Sequence, residues 1–131
     1  MLERKRNVDL ALLDEQHREF QRLIEQLDAD IAAGAGESVL GNLLQSLVEY
    51  TTIHFGDEED LMLIHGFPGL TAHRTEHNAL AVKIAVAQEE YESGKKDVLA
   101  PLTHYLHSWL AEHIPKYDRQ YYEFISGKSL R

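Results

Sequence analysis

Apolar residues recur at every third or fourth position along four long segments of the chain, a spacing that predicts four amphipathic helices. The predicted helices span residues 10–33, 38–65, 70–92 and 98–124. Short turns that contain glycine separate the first three segments and close the third. No segment shows the strict alternation of apolar and polar residues that is typical of a strand. The pattern therefore predicts an all-α fold, an antiparallel up-down-up-down four-helix bundle.

The length of 131 residues suits one compact domain. We predict an N-terminal arm at residues 1–9, the bundle at residues 10–126 and a C-terminal tail at residues 127–131.

Charge and composition exclude several classes of protein. The chain has 22 acidic and 13 basic residues and a formal net charge of -9, which argues against nucleic-acid binding. It contains no cysteine, so disulfides, thiolate catalysis and iron–sulfur clusters are excluded. No apolar run approaches the roughly 20 residues of a membrane span, and the N-terminus lacks the apolar stretch of a signal peptide. We expect a soluble, cytoplasmic protein without a membrane or nucleic-acid partner.

Six polar side chains interrupt the apolar stripes of the predicted helices. A buried histidine or glutamate costs free energy unless a partner satisfies it. The six residues are His17, His54, Glu58, His73, His77 and His113. One shared metal centre accounts for all of them at once, whereas six unrelated core residues would need six separate explanations.

Spacing and position along the helices support a shared centre. His54 and Glu58 are four residues apart, as are His73 and His77, so each pair lies on one face of its helix. The first and third helices carry these residues near their starts, the second near its end and the fourth in its later half. In an antiparallel bundle all four places lie at the same end.

Asp118 is a seventh candidate whose placement the spacing leaves open. It follows His113 by five residues, which in an ideal helix separates the two side chains by about 140°. Both can face the centre only if the helix is locally overwound, bulged or kinked. Pro115 lies between them, and a proline inside a helix removes a hydrogen bond and bends the axis. A surface carboxylate and an inward ligand are equally consistent with this spacing.

The remaining histidines do not fit the centre. His104 and His107 point away from the side of the helix that carries His113, and His65 falls at a helix end. We interpret all three as surface or helix-capping residues.

Four stretches of the sequence closely resemble the hemerythrin family, specifically its single-domain bacterial form, bacteriohemerythrin, or a hemerythrin-like sensory domain. The matching stretches are LDEQHREF, HFGDEEDLM, HRTEH and HIPKYD. The resemblance covers about residues 12–125. Pro115 and an N-terminus without aromatic residues depart from the family pattern.

The resemblance implies a non-haem di-iron centre that binds dioxygen reversibly. His73, His77 and His113 would hold one iron, and His17 and His54 the other. The side chains that would bridge the irons, together with an oxo or hydroxo group, are Glu58 and Asp118. The second iron would keep an open position for dioxygen. Its candidate apolar lining, which is equally consistent with ordinary core, consists of Trp109, Leu110 and Ile114.

The resemblance further implies a binding protein rather than an enzyme. Its role would be oxygen storage or delivery, or oxygen or redox sensing with a fused or partner signalling domain.

Two other functions compete with this interpretation. The run from His73 to His77 matches H-x-x-E-H, the zinc metalloprotease pattern in which a glutamate, here Glu76, is the general base. That function leaves His17, His54 and His113 unexplained. A ferritin-like di-iron oxidase needs Glu-x-x-His on two helices, and no glutamate in this sequence has a histidine three residues later.

Overall fold

The protein, in a computed structural model, is described for residues 9–129, with side chains described for residues 9–127. Its helices are α1 (Leu10–Ala32), α2 (Glu37–Ile64), α3 (Leu70–Glu92), α4 (Leu99–His113) and α5 (Arg119–Ser129). A 3₁₀ turn at Lys96–Val98 precedes α4, and a π-helical turn at Ile114–Asp118 joins α4 to α5. No strand occurs within residues 9–129.

The predicted all-α four-helix bundle is confirmed, with α4, the π-turn and α5 together as its fourth helix. α1 packs against α2 and α4, and α3 packs against the same two helices. No helix in the described part of the chain is both long and apolar enough to cross a bilayer. Residues 1–8 of the predicted arm and residues 130–131 of the predicted tail lie outside the described residues.

Local sequence explains where the helices begin and end. Asp9 caps α1, because its carboxylate accepts a hydrogen bond from the Leu12 backbone N–H at 2.9 Å. After α2, Gly66 adopts a φ of 67°, a left-handed conformation that favours glycine. This bend lets the Phe67 N–H donate to the carbonyl of Met62 at 2.9 Å and satisfies a carbonyl at the helix end.

Two apolar clusters fill the interior of the bundle, one on each side of a polar layer. The larger cluster consists of residues of α1 to α4. The smaller cluster lies at the start of α1 and the end of α2, where α5 packs against them. The buried members of the smaller cluster are Leu13, Leu61, Met62, Tyr121 and Ile125. The polar layer between the clusters contains the histidines and carboxylates singled out from the sequence.

The fourth helix is distorted between His113 and Asp118, as it must be for both side chains to face the centre. The residues from Ile114 to Asp118 form a π-turn, in which the Arg119 N–H donates to the carbonyl of Ile114. A π-turn is a wider, underwound helix with i to i+5 hydrogen bonds, so side chains five residues apart share a face. His113 and Asp118 both point inward for this reason, and each is at most 3% exposed. The distortion is a bulge rather than overwinding.

If the π-turn is a one-residue insertion in a helix, deleting Pro115 should leave the bundle folded. The deletion brings His113 and Asp118 to a spacing of four residues, at which a regular α-helix keeps both on one face. Inserting one alanine into the same turn should instead rotate Tyr121 and Ile125 away from the core by about 100°. We expect that insertion to lower the free energy of unfolding by at least about 3 kcal/mol. Urea unfolding of the metal-free variants, followed by circular dichroism, measures both effects. Equal losses of unfolding free energy in the two variants would contradict the interpretation of the π-turn as a one-residue insertion.

Candidate metal centre

The seven side chains singled out from the sequence converge in the polar layer of the bundle. Their metal-ligating atoms form two groups, in each of which all the atoms lie within 4.8 Å of one another. The three-histidine group consists of Glu58, His73, His77, His113 and Asp118. The two-histidine group consists of His17, His54 and Glu58. The structure thus brings the seven residues together, and their binding of metal stays a prediction.

Six of the seven side chains are almost fully buried, and the seventh marks the side that is closest to solvent. None of the six is more than 3% exposed. The side chain of His17, on α1, is 14% exposed. His17 is therefore the most exposed of the seven side chains.

The carboxylate of Glu58 faces both groups at once. Its Oε1 lies 2.9 Å from His77 Nε2 and 3.3 Å from His73 Nε2. Its Oε2 lies 2.9 Å from His17 Nε2 and 3.1 Å from His54 Nε2. One oxygen atom therefore serves the three-histidine group and the other serves the two-histidine group.

Asp118 repeats this arrangement from the π-turn. Its Oδ1 lies 2.8 Å from His113 Nε2 and 3.0 Å from His73 Nε2. Its Oδ2 lies 2.9 Å from His17 Nε2. The π-turn is what brings this carboxylate into line with His113, so the irregular backbone completes the centre.

Several buried polar atoms of the layer lack a hydrogen bond within the described part of the chain. These atoms are Glu58 Oε1, His73 Nε2, His77 Nε2, both ring nitrogens of His113, and both carboxylate oxygens of Asp118. A buried polar atom without a partner costs about 1–3 kcal/mol. Apart from His113 Nδ1, which faces outward, the atoms lie close to one another but without hydrogen-bond geometry, because they point at shared positions. Two ligand atoms about 2.1 Å from one ion and at right angles are about 3.0 Å apart, which matches these contacts. The donor set therefore fits metal ions.

In the absence of metal, protons on imidazoles balance the negative charge of the carboxylates in part. Burial alone would lower the pKa of His17 and of His73, but the neighbouring carboxylates of Asp118 and Glu58 raise both pKa values to about 9. Burial would raise the pKa of Glu58 and of Asp118, but the surrounding histidines hold both pKa values well below the usual range. Burial lowers the pKa of His113. Metal ions would take the place of these protons.

Three polar side chains outside the predicted set form hydrogen bonds with the candidate ligands, two of them at the outer nitrogen of a histidine. Gln16 contacts the Nδ1 of His54 at 2.8 Å, and Glu59 contacts the Nδ1 of His77 at 2.8 Å. The fully buried Tyr121 donates its O–H to Glu58 Oε2 at 2.7 Å. None of the three was predicted from the sequence. Gln16 had a signal, since it falls in phase with the apolar residues of α1, but the other two did not stand out.

Aromatic rings pack flat against two of the histidines. Phe55 stacks on His77 with ring centroids 3.9 Å apart, and Trp109 stacks on His113 at 4.0 Å. Of the three candidate lining residues, Trp109 thus contacts the three-histidine group. Leu110 lies in the larger apolar cluster, and Ile114 lines two surface pockets beside His17. Only Ile114 reaches the exposed side of the centre.

The other histidines lie away from both groups. His104 and His107 are exposed, and His107 Nε2 lies 2.6 Å from a carboxylate oxygen of Asp28. His65 is the residue that caps the end of α2.

The H-x-x-E-H pattern does not build a separate zinc site. Glu76 is about one-third exposed and approaches the outer nitrogen of His113 at 4.0 Å. His73 and His77 instead direct their Nε2 atoms at Glu58, inside the layer. The glutamate required as a general base is therefore on the outer side of the histidines.

Comparisons with known proteins were consistent with this geometry. Residues 8–125 match the family model described as the hemerythrin HHE cation binding domain. The bacteriohemerythrin of Methylococcus capsulatus is 32% identical over 119 residues, which cover 91% of this chain and 90% of that protein. The bacteriohemerythrin of Stenotrophomonas maltophilia is 31% identical over 123 residues, which cover 92% of this chain and 78% of that protein. A crystal structure of wild-type hemerythrin superposes with a TM-score of 0.79 at 32% identity, and the match covers 87% of each chain.

Without metal, the protein should lose stability as the pH rises from 6.5 to 9.5. A histidine whose pKa is raised on folding stabilises the fold fully below its unfolded value of 6.5, and this contribution is lost as the pH passes its folded pKa. That folded pKa is about 9 for both His17 and His73, so we expect each of these two histidines to contribute a loss of roughly 3 kcal/mol in this window. The lowered pKa values of His113, Glu58 and Asp118 contribute only below it.

Urea unfolding in the presence of a chelator measures this pH dependence. His17→Gln should make the profile shallower, because only the contribution of His73 then remains, and the exposed His104→Ala should leave it unchanged. A wild-type stability that stays constant from pH 6.5 to 9.5 would contradict the proposed protonation of the layer.

Proposed function

Because this chain belongs to the hemerythrin family, we propose that it binds dioxygen reversibly at two iron ions held by the polar layer of the bundle. His73, His77 and His113 hold one iron, and His17 and His54 hold the other. Glu58 and Asp118 would contribute one carboxylate oxygen to each of the two ions. Dioxygen is bound and released without being converted to a product, in line with the oxygen-binding role of the family.

The orientation of the two shared carboxylates is the observation that carries this proposal. Glu58 and Asp118 each direct one oxygen atom at histidines of the three-histidine group and the other at His17. A single ion would leave one oxygen of each buried carboxylate without a cation. Two ions side by side use all four oxygens, which supports a binuclear centre. Imidazole suits iron as well as zinc and copper, so the choice of iron rests on the family.

The two metal positions are unequal, and this inequality supports an open position for a ligand. The three-histidine group offers five donor side chains. The two-histidine group offers three, with one oxygen of Asp118 also close to His17. The position with fewer donors is also the one with the partly exposed ligand, His17. Dioxygen would therefore approach between α1 and the π-turn.

Side chains beside that approach give it an apolar wall. Ile114 and Pro115 of the π-turn and Tyr122 of α5 line the pocket that contains His17 and Asp118. Apolar walls limit water entry and strengthen electrostatic interactions inside the centre. When bound, the iron pair supplies the electrons and the coordination position that take up dioxygen. The protein's part is to hold the ligands, keep Glu58 hydrogen-bonded to Tyr121 and exclude water.

Iron loading followed by oxygen exposure tests this function. The chelator-treated protein, titrated with Fe²⁺ without air, should take up two irons per chain. Air should then produce a visible absorption band that disappears under argon and returns on renewed exposure. His113→Ala and His17→Ala should each abolish the band, because each removes a ligand of one ion. The exposed His104→Ala is the matched control and should behave as the wild type.

Three results would contradict the proposal: uptake of a single metal ion, a band that cannot be reversed, or equal damage by His104→Ala and His113→Ala.

A further inference from the structure

Gln16 lies between a buried carboxylate and one of the candidate ligands. Its side-chain amide contacts Asp57 on one side and His54 on the other. The Nε2 of Gln16 donates to Asp57 Oδ2 at 2.8 Å, and its Oε1 lies 2.8 Å from His54 Nδ1. Gln16 is 8% exposed, Asp57 is 4% exposed and His54 is 3% exposed. This chain of three side chains is therefore built into the core.

Asp57 determines which way the amide of Gln16 points. A carboxylate accepts hydrogen bonds but cannot donate them, so the NH₂ of Gln16 must face Asp57. The amide oxygen then faces His54 Nδ1, which must carry a proton to complete the hydrogen bond. In the neutral imidazole with its proton on Nδ1, the lone pair of His54 Nε2 is directed at the polar layer, 3.1 Å from Glu58 Oε2. Asp57 and Gln16 together thus select the tautomer that can bind metal.

The three-histidine group has a different support. His77 Nδ1 is 2.8 Å from Glu59 Oε2, and Arg74 donates to the other oxygen of Glu59 at 3.1 Å. An imidazole that donates to a carboxylate is a more basic ligand than one that donates to a neutral amide. The two histidines therefore receive unequal support, an anionic partner for His77 and a neutral one for His54.

We propose that Gln16, oriented by Asp57, is the positioning residue for the two-histidine metal position, and that Glu59 is the positioning residue for the three-histidine position. Each acts through one histidine and contacts no metal itself. This inference rests on the proposed binuclear centre. Gln16 and Glu59 thus have a role that differs from the role of their neighbours in the sequence, the candidate ligands His17 and Glu58.

Stepwise titration of the metal-free protein with Co²⁺ separates the two positions. The three-histidine group has more donors and should fill first. Gln16→Met keeps the length of the side chain but removes both hydrogen bonds, so it should weaken the second step by about 10–100-fold and leave the first unchanged. Glu59→Gln should weaken the first step. Gln21→Met is the matched control, because Gln21 is an exposed glutamine of α1 that donates to Glu25 on the same helix.

Nitrogen NMR of the histidine rings provides a second measurement that needs no metal. In the metal-free wild type at high pH, His54 should carry its proton on Nδ1. In Gln16→Met the two tautomers should mix, because the partner that selects one of them is gone. Circular dichroism confirms that the variant is folded.

The outcomes distinguish failure of this inference from failure of the metal centre. Equal weakening of both steps by Gln16→Met, no weakening, or an unchanged His54 tautomer would overturn the positioning role. Wild-type protein that takes up no Co²⁺ and no Fe²⁺ would overturn the binuclear centre, and the tautomer would still report on the Gln16 contact.

Discussion

The burial of two carboxylates and five imidazoles between two apolar clusters is the constraint on which the rest of the structure depends. Charged and polar groups leave water at a high cost, and here the smaller cluster closes over them on one side and the larger on the other. In the metal-free protein, protons on the imidazoles balance the negative charge of the carboxylates only in part. Several buried nitrogen and oxygen atoms of the layer still lack a hydrogen bond within the described residues. Metal ions would satisfy those atoms, and this would couple folding to metal binding.

This constraint explains the irregular fourth helix. A regular α-helix cannot present His113 and Asp118 on one face at a spacing of five residues. The π-turn does so, and it also sets the rotation of α5, which carries Tyr121 into the smaller cluster. The five residues of the π-turn thus supply the candidate ligand Asp118, line the pocket beside His17 and set the position of Tyr121, which donates to Glu58. π-turns are often found at functional sites for this reason.

The fold and most of the candidate centre could be predicted from the sequence because both follow from helical periodicity. Residues such as His54 and Glu58 are four positions apart and therefore share one face of a helix. Antiparallel helices bring such pairs to the same end of the bundle. Family membership, like the bundle itself, is confirmed. Asp118 lay beyond this reasoning because the π-turn breaks the period, so spacing alone left it open between the core and the surface.

The supporting residues were missed for a different physical reason. Tyr121 and Glu59 act through hydrogen bonds to side chains, and Tyr121 reaches Glu58 across 63 positions of sequence. Periodicity along one helix carries no information about such contacts. Gln16 is the exception, because a polar residue in phase with Leu13 and Phe20 is itself a signal of a buried hydrogen bond.

Anomalous diffraction at the iron edge, from crystals of the iron-loaded protein, tests the central claim most directly. The account predicts two adjacent peaks in the polar layer, one beside His73, His77 and His113 and one beside His17 and His54, with Glu58 and Asp118 between them. A single peak, or peaks outside this layer, would contradict it.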